Sequence, residues 1–167
     1  SPAPRKQEKA DLVKLFNTEL DELKIFLINV EAFSTPKGVK FTENFILGHQ
    51  VLFAVDESTT IKNPKASRTK AITKLAKNTK YRRILTGSPI TQSPLDLYSQ
   101  TEVLDTNLLG YTSFYSFQNH YGEVVNRYFG GRTVRQVVGY RNLDELSQKL
   151  DSFSYRVLKS DCLDLPE

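Results

Sequence analysis

The chain has 167 residues, of which 39% are hydrophobic and 25% charged, a balance typical of a globular domain with a sizeable core. This composition argues against disorder, collagen and coiled coil, and no apolar run approaches the length of a membrane span or a signal peptide. A single cysteine, Cys162, excludes a disulfide framework, and no Cys/His cluster has zinc spacing, so we expect an intracellular protein without a membrane partner. Because the chain lacks Met and starts Ser-Pro-Ala-Pro, we interpret it as a piece of a longer protein.

The net charge of +4 is concentrated in one short stretch. Nine of the 23 basic residues fall between residues 62 and 83, which leaves 14 basic against 19 acidic residues elsewhere. A concentrated positive field attracts polyanions such as nucleic acid, although the same residues would also suit a solvated helix face. We call these nine residues the basic tract: Lys62, Lys65, Arg68, Lys70, Lys74, Lys77, Lys80, Arg82 and Arg83.

In the first part of the chain, apolar spacing predicts helices and strands that alternate. The first predicted elements are a polar lead-in over residues 1–9, a helix over 11–23, a buried strand over 24–30 and a loop over 34–40. They are followed by a short helix over 41–47, a strand over 50–55 that is covered on both faces, a helix over 64–78, a strand over 82–86 and a helix over 94–104. We place Pro64 in the first turn of its helix. The alternation predicts an open parallel sheet.

The later part has a different pattern. We predict an aromatic helix over residues 111–121, a hairpin of strands 124–129 and 133–140 around Gly130-Gly131, a helix over 143–150 and a last strand over 153–158. Asn142 and Glu145 predict a capping box at the start of the last helix. The Tyr and Phe side chains of residues 111–129 suit a satellite core or base stacking. Four arginines could contact DNA or protect an exposed edge: Arg127, Arg132, Arg135 and Arg141. We interpret His49 and His120 as structural.

Two polar clusters follow predicted strands, where ligands of open parallel sheets bind. Asp56-Glu57 ends the apolar run QVLFAV, and Thr86-Gly87-Ser88-Pro89 ends RRIL. In nucleotide hydrolases a strand-end aspartate holds Mg²⁺ and a following glutamate polarises the attacking water, whereas an acid pair taken alone more often marks a solvent-exposed turn. The second cluster suits close backbone approach to a ligand, or a plain β-turn.

Taken together, the stretch from Val55 to Gln100 resembles the Swi/Snf-like branch of the superfamily 2 helicase-related ATPases. Asp56-Glu57 match the Walker B acids, IKNP (residues 61–64) matches the segment after them, and LTGSPI (residues 85–90) matches the third helicase motif. INVEAF (residues 28–33) is similar to another strand-end motif, and RVLK (156–159) with LDLP (163–166) is similar to the end of the first motor lobe. The resemblance covers residues 25–167. The 111–140 region favours a phage or bacterial member.

The resemblance implies an α/β, three-layer RecA-like (P-loop NTPase) lobe with a parallel central sheet, incomplete at the N-terminus, and a helix/β-hairpin insertion. Its divisions are a lead-in and helix over residues 1–23, the ATP-binding core over 24–110, the insertion over 111–141 and the end of the lobe over 142–167. No Gly-x-x-x-x-Gly-Lys-[Ser/Thr] phosphate loop occurs in the sequence. The implied partners therefore include a missing N-terminal segment and a second RecA-like lobe, and the chain alone is expected to be inactive, without tightly bound ATP or Mg²⁺.

The resemblance also implies roles for single residues. Asp56 would hold Mg²⁺ through water and Glu57 would orient or deprotonate the attacking water. Thr59 replaces a histidine that is usual in the family, so coupling between nucleotide and DNA would involve Thr59 or Thr60 with the third motif: Thr86, Gly87 and Ser88. Duplex DNA would be gripped by its phosphates, without sequence readout, at Asn29, Lys62, Asn63, Lys65 and Arg68.

Three functions are therefore considered. The first is a piece of an ATP-dependent, DNA-stimulated helicase or translocase motor, which would act in the cytoplasm or nucleoid of a bacterial or phage-infected cell, or in a eukaryotic nucleus. The second is a non-catalytic basic DNA-binding module that retains the lobe fold. The third, a Mg²⁺-dependent nuclease, is weakened because no third carboxylate or lysine follows Asp56-Glu57 at a suitable spacing.

Overall fold

The computed structural model describes residues 6–19 and 22–157, which fall into an N-terminal unit (residues 1–114) and a C-terminal unit (residues 115–167). The N-terminal unit contains helices α1 (Lys6–Phe16), α2 (Pro36–Gly48), α3 (Ser67–Ala76) and α4 (Leu97–Leu104), and strands β1 (Leu52–Val55) and β2 (Tyr81–Ile84). Helix α5 (Phe114–Tyr121), strands β3 (Gly122–Phe129) and β4 (Arg132–Tyr140), and helix α6 (Leu143–Asp151) follow. Within the described ranges, no helix is long and apolar enough to cross a membrane.

Strands β1 and β2 pair in parallel, with Leu52 opposite Tyr81 and Val55 opposite Ile84. Helix α3 connects them, as the predicted strand–helix–strand alternation requires. Apolar side chains of β1, α2, α3, α4, the 3₁₀ helix before α2 and the turn after β1 form the core: Phe33, Ile46, Val55, Ile61, Ile72, Leu75, Ala76 and Val103. The α/β class with a parallel sheet is therefore confirmed.

One face of this sheet is open in the part of the chain that the structure describes. Leu52 and Tyr81 are 61% and 49% exposed, whereas Phe53 and Val55 turn to the core, so the prediction of a strand covered on both faces is wrong here. The predicted strand over residues 24–30 is also wrong, because residues 23–29 form no ladder and a 3₁₀ helix begins at Val30. Alternate side chains of this segment, including Leu27, are exposed, since no described strand pairs with it.

The observed helix boundaries differ from the predicted ones where a side chain forms a hydrogen bond with a nearby backbone group. Helix α1 begins five residues earlier than predicted and ends at Phe16, next to Asn17, whose side chain accepts from the Glu19 N–H; residues 20 and 21 lie outside the described ranges. The predicted loop over residues 34–40 is instead the start of α2, because Thr35 caps the Gly38 N–H and Pro36 occupies the first turn.

Turns precede the other two helices of the N-terminal unit. Helix α3 begins at Ser67, so Pro64 does not lie in its first turn; the Asn63 side chain accepts from the Lys65 N–H and holds this segment as a turn. The predicted helix over residues 94–104 is confirmed as a short 3₁₀ turn (Pro94–Asp96) that leads into α4, with Ser93 and Asp96 forming a capping box.

In the C-terminal unit the predicted hairpin is confirmed. Gly130 and Gly131 have φ of +52° and +82°, the left-handed pair that a tight two-residue turn between β3 and β4 needs. Helix α6 is confirmed, but its predicted capping box is wrong: Asn142 is itself left-handed (φ +56°) and its amide donates to the His120 carbonyl. The last predicted strand is wrong over residues 153–157; residues 158–167, including LDLP, lie outside the described ranges.

Glu145, predicted as a cap, instead links α5 to α6. Its carboxylate lies 2.8 Å from His120 Nε2 and 3.0 Å from Lys149 Nζ, and accepts a hydrogen bond from the Tyr121 hydroxyl. The hydrogen bond with His120, followed by that with Lys149, lowers the pKa of Glu145 to about 2. His120 is therefore structural, as predicted for this residue.

We expect the C-terminal unit to lose stability as the pH falls through this carboxylate's range. A depressed pKa in the folded state contributes stability that is fully present above the ordinary value of 4.5 and is lost between 4.5 and about 2. Thermal unfolding at pH 7 and at pH 3 should show a smaller pH effect for Glu145→Gln than for the natural chain. The matched control, Asp144→Asn on the exposed side of α6, should leave the pH effect unchanged. Equal pH effects in the natural chain and Glu145→Gln would contradict this assignment.

Candidate functional site

The two predicted catalytic acids lie directly after β1, at the carboxyl end of the parallel sheet. Asp56 and Glu57 are both exposed, and the Glu57 N–H donates to Asp56 Oδ1 over 2.9 Å. Glu57 has φ +48° and ψ +57°, a left-handed backbone that is uncommon for a residue with a side chain. The strand therefore ends in a sharp, strained turn, a feature that is frequent at functional sites.

The segment that resembles the third helicase motif, residues 85–90, lies beside these acids. The ladder between β1 and β2 continues past both strands, because Leu85 N–H donates to the Val55 carbonyl (2.9 Å) and Ser58 N–H donates to the Leu85 carbonyl (3.0 Å). Asp56-Glu57 and Thr86-Gly87 therefore leave from neighbouring strand ends. Both clusters therefore lie at the carboxyl end of the sheet, where the sequence analysis placed them.

A buried polar bridge, which the sequence analysis missed, joins the two segments. Ser58 and Gln100 are fully buried, and the Ser58 hydroxyl donates to Gln100 Oε1 over 2.6 Å. The Gln100 amide then donates to the carbonyls of Pro89 (2.7 Å) and Asp96 (2.9 Å). Gln100 therefore connects the turn after the acids, the end of the third motif and helix α4. Its one sequence signal is a polar residue at an apolar position of α4, three residues from both Leu97 and Val103.

A second link starts at Lys62. Its ammonium donates to the Thr91 hydroxyl over 2.6 Å and lies 3.8 Å from the Asp96 carboxylate. Burial raises the pKa of Asp96, but hydrogen bonds from Gln92 and Thr91 and the charge of Lys62 outweigh it and hold that pKa below its usual value. In this structure Lys62 therefore supports the loop after the third motif.

The predicted coupling residues make local contacts. Thr86 Oγ1 accepts from the Ser88 N–H (3.2 Å) and the Ser88 hydroxyl donates to the Ile90 carbonyl (3.0 Å), so these side chains shape the turn around Gly87. Thr59 belongs to the 3₁₀ turn Ser58–Ile61, where its carbonyl accepts from the Lys62 N–H. The hydroxyl that bridges the motifs belongs to Ser58, and a coupling role for Thr59 stays a prediction.

The predicted DNA contacts are not equally available. The Asn29 and Asn63 side chains each accept a hydrogen bond from a backbone N–H two residues on, and Lys62 is engaged as described. Lys65 is exposed, whereas Arg68 is half-buried and its Nε, although buried, has no hydrogen-bond partner among the described residues. The basic tract continues along exposed positions of α3 and beyond: Lys70, Lys74, Lys77 and Lys80.

The donor set after β1 can be compared with what Mg²⁺ requires. Mg²⁺ is commonly held by one or two carboxylates, with water and substrate phosphates completing its shell. Asp56 and Glu57 supply two exposed carboxylates, and the described residues contain no cluster of three His, Cys, Asp or Glu side chains that would hold a metal alone. Asp56 and Glu57 therefore suit a Mg²⁺ ion whose other ligands are water and nucleotide phosphates.

The structure thus combines a parallel α/β sheet, paired acids at the end of β1 and a Thr-Gly-Ser turn after β2. The chain belongs to the SNF2-related domain family, whose match extends over residues 8–167. The predicted Swi/Snf family is confirmed, and the fold is compatible with part of a RecA-like lobe of an SNF2 domain. Of the predicted end-of-lobe motif over residues 156–159, the structure describes Arg156 but not Lys159.

Several curated proteins are similar to this chain. The bovine "DNA annealing helicase and endonuclease ZRANB3" is 28% identical over 157 residues, covering 94% of this chain and 14% of the relative. A Caenorhabditis elegans homolog of "SWI/SNF-related matrix-associated actin-dependent regulator of chromatin subfamily A-like protein 1" is 32% identical over 75% of this chain and 19% of its own length. Human "TATA-binding protein-associated factor 172" is 32% identical over 77% and 7%, respectively. No solved structure matches significantly.

These comparisons correct one expectation. The relatives come from cow, nematode and human, so the predicted phage or bacterial type is not supported. The hairpin that suggested it is present, but a hairpin is an architectural feature that does not identify a lineage. The chain spans less than a fifth of the length of each of these relatives.

Proposed function

We propose that this chain is the later part of the first motor lobe of an ATP-dependent, DNA-stimulated helicase or translocase motor inside the cell. The nucleotide would lie between this lobe and a second one, and an upstream segment would supply the phosphate-binding loop that the sequence lacks. The observation that carries the proposal is the adjacency of Asp56-Glu57 and Thr86-Gly87-Ser88 at neighbouring strand ends, with β1 and β2 hydrogen-bonded beyond both strands.

In this proposal ATP and Mg²⁺ are the cofactors, and the ion neutralises charge on the nucleotide phosphates. Asp56 would hold the ion through water, and Glu57 would orient or accept a proton from the attacking water. The bridge from Ser58 through Gln100 to the Pro89 carbonyl gives the third motif a rigid connection to the acids. A shift of the turn after Asp56 would thus move the loop that Thr86 and Ser88 shape.

The partner would be duplex DNA, held by its phosphates. The support for this partner is the basic tract, which carries nine basic residues and no acid between residues 58 and 95. A non-catalytic DNA-binding module would use the same tract, so the tract alone does not separate the two candidate functions. The exposed acids after β1 favour the motor, because a binding module has no use for two carboxylates at the edge of a polyanion site.

The DNA contact can be tested on the chain itself. Neutralising Lys62, Lys65 and Arg68 together to glutamine should weaken binding to a blunt DNA duplex at least about tenfold. The slope of log affinity against log salt concentration should become shallower by up to about 2.7, because each lost phosphate contact removes about 0.9. Fluorescence anisotropy at several salt concentrations measures both quantities.

The control removes the same charge elsewhere. Lys9, Lys14 and Lys37 are exposed positions on α1 and α2, and their change to glutamine should leave the salt slope nearly unchanged. Melting temperatures are needed for both triple variants, because Lys62 also supports Thr91 and Asp96. An unchanged slope in a folded tract variant, or an equal change in the control, would contradict the proposed grip.

A further inference from the structure

The hairpin of β3 and β4 is exposed on both faces over its outer half, residues 125–136. A two-stranded ribbon is only marginally stable in water by itself. Here its base is fastened: Arg141 N–H donates to the Tyr121 carbonyl (2.9 Å), and Arg141 Nε and the Asn142 amide both donate to the His120 carbonyl. The outer half is therefore anchored at its base but left uncovered, so its side chains are available to bind a partner.

Two large aromatic side chains lie exposed at the tip. Tyr128 and Phe129 are 74% and 60% exposed and directly precede the Gly130-Gly131 turn. Two aromatic residues of α5 behave differently, because Phe117 and Tyr121 are fully buried with their ring centroids 4.8 Å apart. The aromatic residues of this region therefore include a buried pair in α5 and an exposed pair at the hairpin tip.

Arginine supplies all the positive charge on the hairpin. Its strands carry three arginines, no lysine, and a single acid, Glu123, near the base. Arg135 stacks over the Tyr115 ring and donates to Asn119, so it is engaged at the base. The guanidinium groups of Arg127 and Arg132, near the tip, form no hydrogen bond or ion pair with the residues that the structure describes. Arginine binds phosphate in a bidentate manner and stacks on planar rings.

The strand register places these groups side by side. Phe129 is paired with Arg132, and Arg127 lies two residues before Phe129, so all three lie on one face of the ribbon. Tyr128, paired with Thr133, occupies the other face. Cationic and aromatic side chains thus alternate at the tip, which is the combination with which proteins hold unpaired nucleic acid.

We propose that the tip of this hairpin binds single-stranded DNA, with bases stacked on Phe129 and Tyr128 and phosphates paired with Arg127 and Arg132. A closed duplex does not fit this surface as well, because its base faces are already covered by neighbouring pairs. This site goes beyond the proposed duplex grip, which lies on the basic tract of the N-terminal unit. The two sites are tested by different variants on different DNA.

The experiment uses the complete 167-residue chain and an oligothymidine of about 16 nucleotides. Tyr128→Ala with Phe129→Ala should weaken binding at least roughly 25-fold, because each lost base stack alone costs about five- to hundredfold. Tyr128→Phe with Phe129→Tyr keeps both rings and should retain binding. Arg127→Gln with Arg132→Gln should make the salt slope shallower by about 1.4, since each single-strand phosphate contact contributes about 0.7.

Matched controls separate this site from a general loss of structure and from the duplex grip. Val125→Ala with Val134→Ala removes exposed apolar surface from the same ribbon without removing a ring, and should leave affinity unchanged. The tyrosine and phenylalanine variants should bind a blunt duplex as the natural chain does. Unchanged single-strand affinity in the double alanine variant, or an equal loss in the valine control, would overturn the proposal, whatever the tract variants show.

Discussion

Replacing Glu57 with glutamine should lower DNA-stimulated ATP hydrolysis by roughly 10²–10⁴-fold in the longer motor that the proposed function implies, the usual contribution of a general base. Glutamine has nearly the same shape but cannot accept the proton of the attacking water. The affinity for ATP should change much less, because binding would depend on the phosphate loop and the second lobe. Steady-state hydrolysis with and without duplex DNA, together with nucleotide binding, measures the two effects separately.

The matched control is Glu43→Gln, a half-buried carboxylate on α2 whose ion pair is with Lys40 in its own helix. Its hydrolysis rate should equal that of the natural protein. The 167-residue chain alone should neither hydrolyse ATP nor bind it tightly, because it contains no phosphate loop. Measurable turnover by the chain alone, abolished by Glu57→Gln, would contradict this view of the chain as one part of a nucleotide site.

Changing Gln100 to alanine should lower the free energy of unfolding of the N-terminal unit by about 2–4 kcal/mol. The substitution leaves a cavity and removes the partner of the buried Ser58 hydroxyl and of the Pro89 and Asp96 carbonyls. Hydrogen exchange of backbone amides in β1 and α3 measures the opening of this unit without mixing in the C-terminal unit.

The control and a double-mutant cycle make the Gln100 test specific. Gln92→Ala changes an exposed glutamine and should have little effect, because only its backbone N–H contacts Asp96. Ser58→Ala and Gln100→Ala together should cost less than the sum of their separate effects, since each alone leaves the other's polar group unpaired. Strict additivity would show that the two side chains do not act as a bridge.

The features that sequence reasoning predicted well are those with local physical causes. An apolar run followed by Asp56-Glu57 fixed where a strand ends and where acids begin, and Gly130-Gly131 fixed the hairpin turn, because only glycine adopts two consecutive left-handed conformations at little cost. The basic tract could also be found from the sequence, because it depends only on the order of charged residues along the chain. Helices α2 to α6 were likewise predicted from local apolar spacing, although the first residues of α2, α3 and α5 differ from the predicted ones by three to five positions.

The errors came from side chains whose partners lie far away along the chain. Asn142 and Glu145 match a capping box in sequence, yet they bind His120, more than twenty residues earlier. The run over residues 24–30 has a strand's composition, but a strand exists only when a neighbour completes its hydrogen bonds. Sequence alone also gave no sign that the Lys62 ammonium donates to Thr91, and its predicted contact with DNA stays a prediction.

The sequence by itself determined the class of this protein and the position of its acids, because periodicity, strand-end polarity and turn chemistry are set by residues close together in the chain. Only the tertiary structure decided which groups connect the acids to the third motif. Ser58 and Gln100 are 42 positions apart in the sequence. They pair because both side chains are fully buried, and a buried polar group needs a hydrogen-bond partner within the protein. The division of the aromatic residues into a core and an exposed hairpin tip was decided in the same way, by which rings the packing could cover.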